Sequence, residues 1–441
     1  MRGMICKFLQ TLRNDKRYEY FAAAEKLQWK SSDELRALQW ESLKRLVGHA
    51  YGTTKYYREL MDGVGLTPAD IQGAEDYARL PILTKEIVRT RGDDLISHEF
   101  DKASLRRNSS GGSTGEPVSF YQNAELWDKM NGTMMLAQTF MGWKPGDMAI
   151  RIWGNPQEFR KKPGRLNRLK SKISGTINLN AYEYNWGTLG EWAGIIGGFS
   201  RVFIYGYPSV LTDLANYLIE KKIDLPGVKG VMTSAEKMHD WQRELFAKAF
   251  SCRIFDQYGS REIPGIASEC EHGNMHLLTH AAYTEFLPDP ETGTFRIIAT
   301  SLANEGMPFL RYDIGDCGAP MDGVCPCGRG FPLMKMDIGR IYDRFVTPEG
   351  NAIHGTYFVR LLAAVKGVSA FQYRQTERSR IDLHIVRGQG FSEESAATVN
   401  GLEQRIRRDV SPAFSLEVRY VDDIPKTVGG KHRYIVCEVE S

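Results

Sequence analysis

A short run rich in glycine and hydroxyl side chains spans residues 108–120, with the sequence NSSGGSTGEPVSF. Glycines leave backbone N–H groups accessible, and several such groups can converge on one anion together with neighbouring hydroxyls. A flexible linker is the common alternative, but this run is short and leads directly into an apolar strand pattern and an amphipathic helix pattern. It lacks the Gly-Lys-Ser/Thr ending of the usual nucleotide-binding loop. The sequence therefore predicts a phosphate-binding loop whose cation comes from another part of the chain.

A candidate for that cation lies near the carboxyl end, in the sequence IPKTVGGKHRYIV. Lys431 follows two glycines there, so a lean backbone can project its side chain into a cleft. A compact ammonium suits a phosphate or carboxylate oxygen, whereas an exposed lysine in a basic turn is the ordinary alternative. Sequence spacing alone does not bring Lys431 close to the loop.

Chemically capable side chains also follow apolar runs that have the pattern of β-strands. Glu236 ends the segment GVKGVMTSAE, and Tyr258 and Glu262 lie in DQYGSREIPG. Asp313 and Asp316 lie in RYDIGD. An aromatic face can stack on a purine, and a carboxylate can hold Mg²⁺ beside a polyphosphate or bind a ribose diol. Each residue alone also fits core packing or a solvated turn, but their ordered occurrence favours a nucleotide site.

The elements that would position these residues change in character along the chain. The first ~100 residues have helical periodicity, with a capping-box pattern at Ser31 and Glu34. From there to residue ~340, β-rich runs alternate with helical stretches, which predicts an α/β fold with a mainly parallel sheet and covering helices. Ligands bind at the ends of such strands. Residues beyond ~344 predict a small α+β unit containing one helix over SEESAATVNGLEQRIRRDVS.

The composition limits the function classes. The chain has 441 residues, 42% of them hydrophobic, which is enough for a substantial core in a large and a small domain. A net charge of +3 gives no reason to expect nucleic acid, and the basic stretch at 160–172 is typical of a solvated loop. No apolar run approaches the ~20 residues of a membrane span, and the amino terminus is too charged for a secretory signal. Seven unevenly spaced cysteines are typical of reduced thiols, so we expect a cytoplasmic protein.

Six motifs occur in order along the chain: SSGGSTGEP, SAEKM, YGSRE, RYDIGD, GRIYDRF and PKTVGGK. Together they resemble the adenylate-forming acyl-CoA synthetase superfamily. The segment LVGHAYGTTKYYRELMDGVGLTPADIQGAEDYARLPILTKEIVR and the element CPCGRG resemble its phenylacetate-CoA ligase and CapK-like branch. The resemblance extends over nearly the whole chain.

The resemblance implies two domains with the active site between them. Residues 1–343 would form the adenylation domain that binds ATP and the acid, and residues 344–441 would form a mobile domain, with Asp343 as the hinge. Lys431 would bridge the acid and the phosphate during adenylation, and Glu262 would hold Mg²⁺. The remaining nucleotide contacts are implied for Ser110, Gly111, Gly112, Ser113, Thr114, Gly115, Ala235, Glu236, Tyr258, Gly259, Asp316 and Arg340.

The implied reaction is ATP-dependent activation of a carboxylic acid as an acyl-adenylate, followed by transfer to coenzyme A. An aryl or arylacetic acid is our first choice, in a pocket bordered by residues 205–209, Ala235 and the turn at 263–265. Two features depart from the family pattern: Val118 replaces a frequent lysine, and RFVTPEGNAIHGTYF lacks the usual Arg-Gly run after the hinge. An amine or carrier protein therefore stays open as the acceptor. A silent nucleotide-binding regulator is the third hypothesis, and a homodimer is one option for the oligomeric state.

Two cysteine and histidine pairs form a separate pattern. Cys270 and His276 lie in ECEHGNMH, and Cys325 and Cys327 lie in CPCGRG. Four such ligands match a structural zinc site, because four protein ligands leave no open position for substrate. His272 or Cys317 would be the substitute if one of these four residues is not a ligand. The alternative is free thiols and surface histidines in loops.

Overall fold

The structure of the protein is a computed structural model. It describes residues 15–110, 118–154, 175–181, 184–289, 294–336, 344–349, 352–363, 365–388, 390–425 and 433–439. The chain divides into two compact units. The first comprises the chain up to Leu287 together with Arg296–Ile314 and Ala319–Lys335, and the second comprises Pro288–Phe295, Gly315–Gly318 and the chain from Met336 onward.

The helices of the first unit lie both before its first strand in the chain and between its later strands. They are α1 (Arg17–Leu27), α2 (Ser32–Thr53), α3 (Lys55–Gly63), α4 (Ala74–Ala78), α5 (Lys85–Arg91), α6 (Ala124–Phe140), α7 (Trp186–Gly197), α8 (Pro208–Lys221) and α9 (Asp240–Phe250). Short 3₁₀ turns lie at Pro68–Asp70, Gly92–Leu95 and Lys102–Ser104. The predicted capping box is present at the start of α2, where Ser31 and Glu34 satisfy each other's backbone N–H groups.

The strands up to residue 335 belong to three sheets. They are β1 (Arg106–Ser109), β2 (Ser119–Gln122), β3 (Met148–Trp153), β4 (Thr176–Asn180), β5 (Val202–Gly206), β6 (Val228–Ser234), β7 (Ile254–Tyr258), β8 (Ala267–Glu269), β9 (Met275–Leu277), β10 (Ala282–Asp289), β11 (Thr294–Ser301), β12 (Tyr312–Cys317), β13 (Ala319–Met321) and β14 (Leu333–Lys335). β1 and β2 form a hairpin, and β10, β11 and β12 form a three-stranded sheet in that order.

The main sheet has nine strands in the order β13-β14-β9-β8-β7-β6-β5-β3-β4. Its strands β3 to β7 are parallel, and β8, β9, β13 and β14 continue it with antiparallel pairing. Helices α8 and α9 connect β5 to β6 and β6 to β7. All five residues of β5 are buried, as expected for a central strand covered on both faces. The predicted α/β fold with a mainly parallel sheet is confirmed.

The second unit contains a four-stranded sheet in the order β19-β18-β17-β20, together with the hairpin β15-β16. Its elements are β15 (Arg344–Val346), β16 (Ala352–His354), α10 (Gly355–Ala363), β17 (Val368–Glu377), β18 (Arg380–Arg387), α11 (Glu393–Asn400), α12 (Leu402–Asp409), β19 (Ser415–Val421) and β20 (Ile435–Cys437). The single helix predicted after residue 391 is wrong in one respect. It breaks into α11 and α12 at Gly401, which caps α11 with its N–H bonded to the Ala397 carbonyl.

No helix among the residues that the structure describes is both long enough and apolar enough to cross a membrane.

Candidate active site

The carboxyl ends of β5, β6 and β7 lie along one edge of the main sheet because these strands are parallel. The predicted residues Ala235, Glu236 and Tyr258 stand at that edge. Ala235 follows β6 directly and has a φ of 72°, a left-handed conformation that an alanine rarely adopts. Strained backbone of this kind concentrates at functional sites, so the outlier independently marks this edge.

Glu236 is held by the amino-terminal end of helix α8. Its carboxylate accepts hydrogen bonds from the Ser209 backbone N–H at 2.8 Å and from the Ser209 hydroxyl at 3.0 Å. A helix amino terminus favours a negative charge, so this contact fixes the side chain in place. The sequence pattern predicted Glu236 at a nucleotide pocket but did not reveal its contact with Ser209.

The base of the predicted phosphate loop is described up to Ser110. Its backbone N–H donates to the Val118 carbonyl and its hydroxyl accepts from the Val118 N–H, each at 2.9 Å. The guanidinium of Arg261 donates to the Ser109 carbonyl at 3.2 Å, and Gln122 donates to the Arg261 carbonyl at 2.9 Å. The structure therefore attaches the base of the loop to the segment that carries Glu262.

Several predicted site residues fall outside the described part of the chain. They are Gly111, Gly112, Ser113, Thr114, Gly115, Arg340, Asp343 and Lys431. Their roles stay predictions.

Glu262 is buried, with 6% of its surface exposed, and the Tyr312 hydroxyl donates to its Oε1 at 3.1 Å. Tyr312 begins β12 and is completely buried. A buried carboxylate must have polar partners, and the Tyr312 hydroxyl is one of them. Tyr312 therefore orients this carboxylate.

Arg311 fixes the backbone on which Tyr312 sits. It has a φ of 49°, and its guanidinium binds both carboxylate oxygens of Glu285 at 3.1 Å. Nη1 of the same group donates to the carbonyls of Ala78 and Leu80. Burial raises the pKa of Glu285, and the hydrogen bond and positive charge of Arg311 oppose that rise. The side chain of Arg311 thus connects the start of β12 to the amino-terminal helical region. The same contacts stabilise the left-handed backbone conformation of Arg311 itself.

The remaining predicted nucleotide contacts lie on or directly after strands β7 and β12. Tyr258 is half-buried at the end of β7. A Cβ on Gly259 would lie 2.8 Å from the Gly265 backbone nitrogen, so only glycine fits between these segments. Asp316 is half-buried on β12, directly after Gly315, which has a φ of 82°.

The four predicted zinc ligands come together in the structure. Their ligand atoms all lie within 4.8 Å of one another, and the set is Cys270, His276, Cys325 and Cys327. The Cys270 and Cys325 sulfurs are 3.6 Å apart, and the Cys327 sulfur is 3.3 Å from His276 Nε2. A tetrahedral ion with Zn–S bonds of about 2.3 Å separates two sulfurs by about 3.8 Å. The donor set and its spacing therefore fit zinc.

Groups around this Cys-His cluster fix the tautomer of His276 and donate hydrogen bonds to two of the sulfurs. His276 Nδ1 is 3.3 Å from the Phe331 carbonyl, which can only accept, so Nδ1 carries the proton and Nε2 is left for a ligand bond. Burial lowers the pKa of His276 to about 4, so its imidazole is neutral at neutral pH. The Asn274 amide donates to the Cys325 sulfur at 3.2 Å, and the His272 N–H donates to the Cys270 sulfur at 3.4 Å.

Comparison with known proteins finds relatives that match nearly the whole chain. The family model described as "CapK C-terminal domain" matches residues 345–438. "Protein CapK" from Staphylococcus aureus is 22% identical over 412 residues, covering 92% of this chain and 90% of that protein. "Phenylacetate-coenzyme A ligase" from Thermus thermophilus is 24% identical over 440 residues, covering 92% and 96%. The chain is therefore similar to CapK and to phenylacetate-CoA ligase over more than nine tenths of its length. The predicted resemblance is confirmed.

Solved structures of acyl-CoA ligases have the same fold as this chain. A crystal structure of 2-hydroxyisobutyryl-CoA ligase in its postadenylation state, in complex with R3-HIB-AMP, has a TM-score of 0.75 at 17% identity. That match covers 94% of this chain and 92% of the other. The anthranilate-CoA ligase AuaEII, in complex with anthranoyl-AMP, has a TM-score of 0.53 at 14% identity and covers 76% and 67%.

Sequence reasoning missed residues whose importance depends on contacts between distant segments. Tyr312 and Arg311 lie inside the RYDIGD motif, but only its two aspartates were singled out. Gln257 precedes Tyr258, and alternation along β7 could have placed its side chain on the opposite face of the sheet. No sequence signal revealed that Arg261 donates to the base of the phosphate loop.

Proposed function

We propose that this protein activates a carboxylic acid with ATP, releases pyrophosphate, and transfers the acyl group from the acyl-adenylate to coenzyme A. One observation carries the proposal: the base of the glycine-rich loop accepts a hydrogen bond from Arg261, the residue that directly precedes the buried Glu262. A phosphate loop and a metal-binding carboxylate must be neighbours if both act on one polyphosphate. The names of the phenylacetate-CoA ligase relatives support the same reaction class.

In the first half-reaction, an oxygen of the acid attacks the α-phosphate and the bond to pyrophosphate breaks. Negative charge then spreads over the phosphoryl oxygens, so catalysis depends on positioned N–H groups and cations. Glu262 fits a Mg²⁺ ligand, because it is a buried carboxylate whose orientation Tyr312 fixes. Bound Mg²⁺ would supply charge neutralisation on the phosphates. Ser110 and the rest of the glycine-rich loop would hold the β- and γ-phosphates.

The other proposed roles follow the motifs. Tyr258 would pack on the adenine, and Ala235 and Glu236 would line the nucleotide pocket. Asp316 would bind the ribose hydroxyls. Arg340 would lie just before the interdomain hinge, with the domain boundary between residues 343 and 344.

Lys431 would bridge the acid and the phosphate during the first half-reaction and leave the site before the second. We expect Lys431→Ala to abolish acid-dependent pyrophosphate exchange while sparing thioester formation from a supplied acyl-adenylate, because the ammonium acts only on the transferring phosphate. Lys426→Ala, in the same basic segment, is the matched control. Near-normal exchange in the Lys431 variant would refute the assignment.

We further propose that the Cys-His cluster holds a structural zinc. Four protein ligands leave no open position, so the ion would bind strands β8 and β9 to the CPCGRG segment without contacting substrate. Zinc would supply cross-linking of these segments. Tightly held metal in the purified protein, one ion per chain, is the expected result of elemental analysis.

A pyrophosphate-release screen tests the central proposal. The protein is assayed with aryl, arylacetic and aliphatic acids, each with and without coenzyme A. Acceleration by coenzyme A, together with a thioester detected by mass spectrometry, supports the acyl-CoA ligase. Pyrophosphate release that is indifferent to the thiol supports transfer to an amine or a carrier protein, and absence of release with every acid refutes the proposed activation.

A further inference from the structure

A row of polar side chains crosses the main sheet beneath helix α6. Ser234, Gln257 and Ser268 are register partners on the adjacent strands β6, β7 and β8, so their side chains share one face. Gln257 is 5% exposed and Ser268 is completely buried. The row lies one residue from the strand ends that carry Ala235 and Tyr258. A polar row this deep under a helix needs partners, because native interiors leave few polar groups unpaired.

Within the described part of the chain, the amide of Gln257 has one strong hydrogen-bond partner, at its oxygen. The Tyr205 hydroxyl donates to Oε1 at 3.1 Å, which directs Nε2 towards the sulfur of Met134 at 2.9 Å. A thioether sulfur is a weak acceptor, and the amide nitrogen carries two N–H donors. The reverse orientation would place the amide oxygen against a sulfur that cannot donate. The orientation is therefore fixed, and among the residues that the structure describes this buried donor has only a weak acceptor.

Neighbouring polar atoms are in the same condition. Ser268 Oγ and His280 Nδ1 are buried and have no hydrogen-bond partner among the described residues. The Thr133 hydroxyl, one residue before Met134 on α6, lies 3.1 Å from His280 Nε2. Several under-satisfied polar atoms in one place are uncommon in a native core and are typical of a site that a ligand completes.

This polar row borders the pocket predicted for the acid. Tyr205 begins the 205–209 segment of that pocket, and it hydrogen-bonds directly to Gln257. The turn at 263–265 forms another side, and a Cβ on Gly265 would lie only 2.8 Å from Thr133 Cγ2. The two predicted pocket segments therefore contact the two elements that hold the unsatisfied amide.

We infer that the acid carries a hydrogen-bonding oxygen remote from its carboxyl group, namely a phenolic hydroxyl of an aryl or arylacetic acid, and that Gln257 Nε2 donates to that oxygen. The inference rests on the proposed function. An unsubstituted ring would leave the amide N–H groups buried without an acceptor. Sites built to hydrogen-bond a substrate hydroxyl discriminate strongly against the analogue that lacks it, for this reason.

The test compares pyrophosphate release with phenylacetate and with its meta-hydroxy and para-hydroxy derivatives. We expect the unsubstituted protein to favour one hydroxylated acid by about 10-fold or more in kcat/KM. Gln257→Met, an unbranched apolar replacement of similar length, should reduce that ratio to about 1 or below. The control is Gln242→Met on α9, another buried glutamine, whose amide donates to Thr212 at 3.0 Å. It should keep the ratio of the unsubstituted protein.

Two results would overturn the inference: equal or better turnover of phenylacetate by the unsubstituted protein, or an unchanged ratio in Gln257→Met. Calorimetric titration of the same acids into both proteins separates this inference from the proposed function. If no acid releases pyrophosphate, the activation reaction fails. In that case, tighter binding of a hydroxylated acid that Gln257→Met abolishes still supports the role of Gln257, and equal binding of all three acids overturns it.

Discussion

Replacement of Arg311 by methionine tests whether a buried ion pair holds the site strand. Arg311 Nη2 lies 3.0 Å from Glu285 Oε1, and the two side chains are only 5% and 11% exposed. Methionine keeps much of the aliphatic volume but leaves the Glu285 carboxylate and the carbonyls of Ala78 and Leu80 without their donor. Removal of one partner of a buried pair costs about 3–5 kcal/mol. We expect a loss in the free energy of unfolding within that range.

A double-mutant cycle isolates the ion pair from the rest of the loss. Glu285→Gln removes the charge that Arg311→Met strands, so the double variant should lose less than the sum of the single variants. The coupling should be about 2 kcal/mol or more, within the range for residues in contact. Arg201→Met is the matched control, because Arg201 pairs with Asp147 on the surface with 46% and 19% exposure. Such pairs contribute about 0–1 kcal/mol.

The pH dependence of the Arg311→Met deficit gives a second signature. The pKa of Glu285 is already raised by burial in the folded protein, and loss of Arg311 should raise it further. A carboxyl with a higher pKa in the folded state binds its proton more tightly there, so acidification stabilises the folded state relative to the unfolded one. The deficit should therefore shrink as pH falls from neutrality towards the unfolded pKa of about 4.3.

Urea unfolding followed by tryptophan fluorescence measures the free energy of unfolding of the first unit, which contains Arg311 and Glu285. All eight tryptophans lie between residues 29 and 241, within the first unit. A deficit below about 1 kcal/mol, additive single variants, or a deficit that does not change with pH would each refute the buried-pair account.

Three further predictions concern separate sites. Tyr312→Phe should raise several-fold the Mg²⁺ concentration needed for half-maximal pyrophosphate exchange, because Glu262 loses the hydroxyl that orients it, whereas Tyr77→Phe should leave that concentration unchanged. Cys325→Ser should lower both the zinc content and the melting temperature, and a metal-free protein of full stability would sink the zinc proposal. Tyr373→Phe should stabilise the second unit or leave it unchanged, measured by circular dichroism melting, because the buried Tyr373 hydroxyl has no hydrogen-bond partner among the described residues.

The fold was predictable where local pattern decides structure. Alternating β-rich runs and helical stretches indicated parallel strands, and β5, β6 and β7 formed where the apolar runs lie. The antiparallel extension through β8, β9, β14 and β13 was not anticipated, because its strands have only three residues each and contain no readable periodicity. The break at Gly401 was also missed, since one glycine in a helical pattern can be either an interior residue or a cap.

The candidate site was predictable where chemistry follows a strand end. Ala235 and Tyr258 lie at the edge that the strand pattern indicated. The Cys-His cluster was also predictable, although its two pairs are about 50 residues apart along the chain. Few residue types bind zinc, so the cysteines and histidines alone restrict the choice of ligands. Tyr312 and Gln257 were not predicted, since a hydrogen bond between residues many positions apart leaves no periodic trace in the sequence.

The contacts of β12 explain why an amino-terminal helical region is part of this site. The Leu83 N–H donates to the Arg311 carbonyl at 3.0 Å, and the Asp313 N–H donates to the Leu83 carbonyl at 2.9 Å. Together they clamp Tyr312 between two backbone hydrogen bonds. Since Tyr312 in turn orients Glu262, the position of that carboxylate depends on a segment almost 180 residues earlier in the chain. Changes in the 78–83 segment should therefore alter activity through Glu262 without any contact of their own with a substrate.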